Sequence, residues 1–413
     1  MIRGRFLALG RPLAVPAFRR LWVAQLVSEV GDWSARVVLS VLVYTRTGSA
    51  AMTGLVTTAS LVPWLGPGQL LTSWTERWPR RRVMIAADLA RAVTFTVAAL
   101  PLPVPVLLGV VLCAGLATPP FEAARSALRP EILSSALFPS AVALTAITLD
   151  LTVALGYAVG GGLVALFGAY TALLVNAASF AGSAVLLGGL PRASAPRSGP
   201  AAGALRDGFR ALRGDPLIVR AVLLVTAAMF TATSLTALAA PLVLQVLAAG
   251  PLTVGGLVAF GAVVSMAATA AVPTDNDPLL LRWAAGYALA GGAVTVACFT
   301  AISLGASAKT GLSVLAFAAV GLLVAVLAPA NVVVSPRLPA PTRASAMSLL
   351  MGSLVATEAI GAAVAGLAAA AAGIAPVCLA LGVPPLLIGT YALLVPAEPN
   401  AVTEATRPTK AGM

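Results

Sequence analysis

Residues 18–50 read FRRLWVAQLVSEVGDWSARVVLSVLVYTRTGSA. Arg19 and Arg20 precede a run from Leu21 to Tyr44 that is predominantly apolar yet holds three ionisable side chains, Glu29, Asp32 and Arg36. About 20 apolar residues in a helix cross the hydrocarbon core of a bilayer, so 21–44 reads as a membrane-spanning helix. The turn-rich TRTGSA closes it. The basic pair ahead of the run sets its N-terminus on the cytoplasmic side.

Eleven further segments share this character: 51–74, 83–100, 104–120, 140–167, 170–190, 217–240, 252–272, 283–304, 311–334, 344–370 and 374–395. The composition agrees. Of the 413 residues 59% are hydrophobic and 10% charged, with mean hydropathy +0.98. A soluble protein carries about 25% charged residues, so this chain cannot cover a water-facing surface. Long unbroken apolar runs, without alternation, exclude a β-barrel. The expected class is an all-α membrane protein of twelve transmembrane helices in two six-helix bundles, with both termini cytoplasmic.

The net charge of +12 follows from that topology. Of 26 Lys and Arg, 22 fall on segments assigned to the cytoplasmic side, while Arg46 and Lys309 fall outside. Such a bias is the positive-inside pattern rather than a nucleic-acid footprint. The chain has no histidine, which removes imidazole bases, Ser-His-Asp systems and histidine metal sites. Cys113, Cys298 and Cys378 lie in apolar stretches without CxxC spacing, so no disulfide framework or zinc site is indicated. An enzyme, a metal and a cofactor are not expected.

Residues 1–20 form a basic arm in which Arg11, Pro12 and Pro16 interrupt any signal-peptide core. Residues 21–190 are the first bundle, 191–216 a linker, 217–395 the second bundle and 396–413 a tail. Within the linker, Leu205, Phe209 and Leu212 recur at helical spacing. Arg206, Arg210 and Arg213 line another face, the pattern of a short amphipathic helix on anionic lipid. The halves echo each other weakly: LATPP at 116–120 and LAPAN at 327–331 are each followed by a basic turn, at Arg125 and Arg337. Equal halves are the organisation of transporters built from two repeats.

The opening stretch also carries FRxLW at 18–22, Q-x-x-S-x-x-G-D at 25–32 and LVY-x-x-TGS at 42–49. Together these resemble the first helix of the major facilitator superfamily, in its bacterial drug and siderophore exporter group. The likeness continues through LLVNAASF at 173–180 and RASAMSLLMGS at 343–353. It implies alternating access by two six-helix bundles around a central cavity in the cell membrane. The superfamily loop G-x-x-x-D-R-x-x-R-R has Thr72 at its glycine and Glu76 at its aspartate, with Arg77, Arg80 and Arg81 retained. In helix 5, Gly156, Gly160 and Gly161 match, while Tyr157 takes the usual proline position. The loop PTDNDPLLLRW at 273–283 lacks the equivalent motif.

Ionisable groups within spans are functional candidates by default. Asp32 lies about 11 residues into its helix, roughly 16 Å deep at 1.5 Å per residue. It shares a face with Arg36 and with Glu29. These acids read either as proton-titrating carboxylates, with Arg36 tuning Asp32, or as ion pairs that fix packing. Asp150 and Glu358 are the other proton-coupling candidates. A cytoplasmic gate is expected from Glu76, Arg77, Arg80, Arg81, Asp88 and Arg91, joined by Glu122 and Arg125. Gln25, Tyr157, Asn176 and Asn331 are candidate cavity-lining residues. The second half offers few polar contacts, which favours a lipophilic substrate over a sugar. The expected function is proton-coupled export of a lipophilic or amphipathic small molecule by a monomer, its partners being substrate, protons and membrane lipids, not nucleic acid. An uptake permease and a transport-inactive sensor are the alternatives.

Overall fold

The computed structural model describes residues 10–75, 77–191, 204–272, 279–339 and 342–394. Glu76, the linker's 192–203, residues 1–9 and the tail from 395 lie outside the described residues. Among the described residues the elements are helical, without strands.

Proline and glycine decide where the helices start and break. Helix α1 (Pro16–Thr47) opens on a proline, whose missing N–H costs nothing in a first turn. It stops at Gly48, in left-handed backbone at φ 62°. Ser49 caps α2 (Ala50–Leu61), its Oγ accepting the Met52 N–H at 3.3 Å. Pro63, Gly66 and Pro67 break that span before α3 (Pro67–Thr75). Next come α4 (Arg80–Ala98), α5 (Val104–Leu116), α6 (Thr118–Ile132) and α7 (Phe138–Gly188). Helix α7 runs 51 residues with one non-helical residue, Gly168, at φ 79° and ψ 164°. An L side chain strongly disfavours that conformation, so glycine is what lets the chain turn there.

After α8 (Ala204–Arg213), Asp215 caps α9 (Pro216–Ala237), accepting the Leu217 N–H at 2.8 Å. The chain goes on through short turns to α10 (Pro251–Ala270), α11 (Leu280–Ser303), α12 (Lys309–Ala325) and α13 (Leu327–Arg337). It ends in α14 (Arg343–Ala372), α15 (Ile374–Leu381) and α16 (Val383–Leu394).

Among the described residues eight helical segments are long and apolar enough to cross a membrane, and Ala50–Leu65 is a shorter apolar one. Helices α1 and α4 have the length but carry the intramembrane acids and arginines. One boundary differs from the sequence reading. The span expected over 104–120 does not end at Pro119 and Pro120. These prolines sit in the first turn of α6, where they are tolerated, and the helix continues to Ile132. Arg125 is thereby carried from an expected loop into buried helix packing.

Helices α1 and α7 pack along each other, with α4 against α7 and α6. In the second half, α11 packs against α12, α15 and α16, and α9 against α14. The halves meet chiefly through α2 with α14 and α7 with α10. These contacts rest on glycine: a Cβ on Gly54 would lie 3.0 Å from Gly366 Cα, and one on Gly161 would lie 2.9 Å from Gly255 Cα. The Thr58 hydroxyl donates across the same seam to the Ala359 carbonyl at 2.9 Å, and the Tyr44 hydroxyl donates to Gln245 Oε1 at 2.7 Å.

Candidate functional site

Below that glycine seam the halves enclose a cavity of about 1110 Å³ of empty space, its open mouth included. Its wall is mostly apolar, from α1, α2, α7, α9, α10, α12 and α14. Three ionisable side chains enter it: Arg36 from α1, Asp150 from α7 and Glu358 from α14. Trp33 and Tyr157 also line it, with ring centroids 5.7 Å apart. The Arg36 guanidinium lies 4.2 Å from the Trp33 ring centroid, a cation–π arrangement. Its charge acts on Glu358, Tyr157 and Asp32. Neither Asp150 nor Glu358 has an ion-pair partner within 4 Å among the described residues.

A second polar assembly lies inside the first half. Arg91 of α4 is 2% exposed. It donates to Asp32 of α1 at 2.9 Å and to Asp88 one turn back on its own helix. Its guanidinium also sits 4.6 Å from the Phe121 ring centroid and 4.4 Å from that of Phe180. Arg125 of α6 repeats the arrangement. It donates to Glu29 of α1 and to Glu122 on its own helix, both at 2.5 Å. The Thr152 hydroxyl of α7 donates to the other oxygen of Glu29 at 3.1 Å. Two acid–arginine–acid triads thus hold successive turns of α1 against α4 and α6.

These positions correct several expectations. Of the two relations expected between Asp32 and Arg36, the ion pair does not form: Arg91 bonds Asp32, while Arg36 turns along α1 to face the cavity. Asp88 and Arg91 do not gather with the basic loop. They stand two to three turns further along α4, and burial there requires each to find its partner inside the bundle. Arg80 bonds Glu131 and the Ala127 carbonyl at the end of α6, Arg81 the Leu190 carbonyl at 2.9 Å, and Arg77 the Trp74 carbonyl at 3.0 Å. Glu76 lies outside the described residues. Of the four expected lining residues Tyr157 faces the cavity. Gln25 and Asn176 are buried in helix packing, and Asn331 borders a separate small pocket between α9, α13 and α14.

Sequence reading did not link Arg91 and Arg125 to the acids of α1. The signal was present as two acid-x-x-Arg steps, Asp88 to Arg91 and Glu122 to Arg125, opposite two acids spaced by the same three residues. Trp33 was likewise hidden among the apolar residues of its span.

Helices long enough to cross a bilayer, gathered around one cavity with ionisable groups at its wall, define a multi-pass membrane transporter. The comparisons agree. The sequence profile described as transmembrane secretion effector, a major facilitator family, matches residues 8–410, and the chain belongs to that family. No curated protein matches significantly in sequence. Solved structures share the fold at low identity. A bacterial homologue of the human lysosomal transporter Spinster, inward-facing and occupied, is 14% identical with a TM-score of 0.74, over 91% of this chain and 95% of that one. The nucleoside transporter NupG is 14% identical with a TM-score of 0.70, over 91% and 98%. A POT family transporter in complex with 5-aminolevulinic acid is 11% identical with a TM-score of 0.71, over 91% and 95%.

Proposed function

We propose that this protein is a secondary active transporter that exports an amphipathic small molecule in exchange for protons, by alternating access in a bacterial cell membrane. The observation that carries the reading is the pair of carboxylates, Asp150 and Glu358, facing one largely apolar cavity from opposite halves without ion-pair partners among the described residues. Such groups can exchange a proton for a substrate charge as the halves rock. An apolar wall with two aromatic rings suits an apolar substrate body.

The reading includes twelve crossings with both termini cytoplasmic, and 21–190 and 217–395 as the two bundles. Several facts support the count. The segment Ser140–Gly188 has 49 residues and a break at Gly168. At 1.5 Å per residue it is about 74 Å long, twice what one crossing needs. Helices α1 and α4 offset their charges against each other and α6, which permits their insertion. Helices α2 and α3 together complete a broken crossing.

The test uses everted membrane vesicles energised to an acidic interior, with ethidium and an uncharged lipophilic dye as probes. Native protein is expected to release protons when either dye is added, and Glu358→Gln to abolish that release at equal protein level. Undiminished release in both Glu358→Gln and Asp150→Asn sinks the coupling assignment; proton release with dye moving in the uptake direction sinks export.

A further inference from the structure

We infer that the start of α11 is a binding site for one anionic phospholipid, with its headgroup at Arg282 and an acyl chain lying along Trp283, Gly286 and Tyr287. This site is separate from the transport cavity and does not depend on the function proposed for it.

Four observations carry the assignment. First, Leu279, Arg282, Trp283, Gly286 and Tyr287 border a shallow groove with about 630 Å³ of empty space. Second, its walls are apolar and outward-facing: Leu279 is 47% and Trp283 40% exposed. Trp283 meets Tyr287 edge to face at 5.8 Å. The Tyr287 hydroxyl donates to the Ala268 carbonyl at 2.8 Å, pinning its ring between α11 and the end of α10. Third, Gly286 keeps the floor open, since a Cβ there would meet nothing within 4 Å. Fourth, a guanidinium stands at one end of the groove. Arg282 has no ion-pair or hydrogen-bond partner among the described residues. Among the described residues the first turn of α11 holds no acid.

These features match the chemistry of a phospholipid at the membrane interface. Trp and Tyr settle at headgroup level, with the ring in the apolar layer and the polar edge in water. A guanidinium forks onto a phosphate, and a helix N-terminus adds favourable field for an anion. One end of the groove therefore selects charge while the other accepts hydrocarbon. A soluble anion would use only the first.

The assignment is tested on the full-length protein in nanodiscs, as a mixture of phosphatidylglycerol and phosphatidylcholine. Retained lipid is counted by native mass spectrometry after detergent transfer. Separately, quenching of Trp283 by brominated-chain phosphatidylglycerol is read as the signal that Trp283→Phe removes. The native protein is expected to keep one phosphatidylglycerol with at least about five-fold preference over phosphatidylcholine. Arg282→Gln is expected to lose the preference, and Gly286→Leu, which fills the floor, to lose retention of either lipid. Unchanged retention in both variants, or equal retention of the two lipids by native protein, overturns the site. So does neutralisation by the adjacent acids, seen if the preference appears only in Asp275→Asn/Asp277→Asn. Unaltered melting temperature in each variant identifies a loss as local.

Discussion

Gly161 of α7 and Gly255 of α10 bring the halves into backbone contact next to the cavity-lining Tyr157, Val254 and Val258, and on the proposed reading of a rocking transporter a single added methyl group there should open that end of the cavity. A Cβ on Gly161 would stand 2.9 Å from Gly255 Cα and 3.0 Å from the Pro251 carbonyl oxygen. Both neighbours are backbone, so neither can swing aside as a side chain would. The helices must separate, and overpacking of this kind costs about 1–3 kcal/mol. Alanine is also a better helix former than glycine by about 1 kcal/mol. That gain is present whether or not this end is closed, because the residue is helical in both arrangements. It therefore cancels from the difference, and only the steric cost moves the balance. Gly161→Ala is expected to shift the ratio of closed to open by about 5- to 150-fold. The assay is maleimide labelling of Thr236→Cys in the cavity wall, with Cys113, Cys298 and Cys378 replaced by serine. An impermeant reagent is applied from the side of the glycine seam. Labelling should be at least about five-fold faster in Gly161→Ala. Gly162→Ala is the control, because a Cβ there meets nothing within 4 Å. Equal labelling of the two variants would refute the claim that glycine contact holds this end shut.

Two stability effects follow from the same geometry. Arg91→Gln leaves Asp32 and Asp88 facing each other with no cation between them. Removing one partner of a buried pair costs about 3–5 kcal/mol, so a marked fall in thermal midpoint is expected in detergent micelles. Part of it should return in Asp88→Asn/Arg91→Gln, whereas an unchanged midpoint in the single variant means the triad does not form. Gly168→Ala places a side chain at φ 79° and ψ 164°, a conformation that costs about 1–3 kcal/mol outside glycine. Its midpoint should fall although a Cβ there has open space around it; an unshifted midpoint shows that the turn relaxes freely.

Element positions were legible because apolar length and turn chemistry act locally. Thr47-Gly48-Ser49 marks an end and a cap by residue type alone, and Gly168 marks a turn between apolar runs. LATPP and LAPAN also hold equivalent places: each stands at a one-residue interruption within a continuous helical segment, between α5 and α6 and between α12 and α13. The reading failed where one residue type serves two purposes. Pro119 and Pro120 can end a helix or begin one, and the difference lies in where the preceding turn points. Site residues were legible by type but not by partner. Asp32 and Arg36 share a face, so i+4 spacing offered a pair. A helix repeats every 3.6 residues, however, so Arg36 also stands rotated by some 40°. That rotation takes it towards the cavity and leaves Asp32 for Arg91, a choice made by packing between helices.

Charge balance connects the two assemblies on the proposed reading. In the first half Glu29, Asp32, Asp88 and Glu122 stand among Arg91, Arg125 and Arg129; in the cavity Asp150 and Glu358 stand with Arg36. Each assembly has one carboxylate more than it has guanidiniums. An uncompensated charge at the centre of a membrane helix costs about 2.5–3.5 kcal/mol on insertion scales, so each assembly asks for one further positive charge or for contact with water. The two differ in what can supply it. The cavity has room for a molecule, and a substrate cation or a proton satisfies it equally. In the triads the arginines at the centres are nearly sealed, while the acids Asp32 and Glu122 keep 31% and 28% of their side-chain surface exposed, so contact with water can supply it there. Asp32, held by Arg91 and within the field of Arg36, is where a charge change in the cavity and one in the triads can sense each other. On the proposed reading the proton and the substrate exchange at Asp150 and Glu358, and Arg36, on the same cavity wall, brings Asp32 within reach of that change of charge.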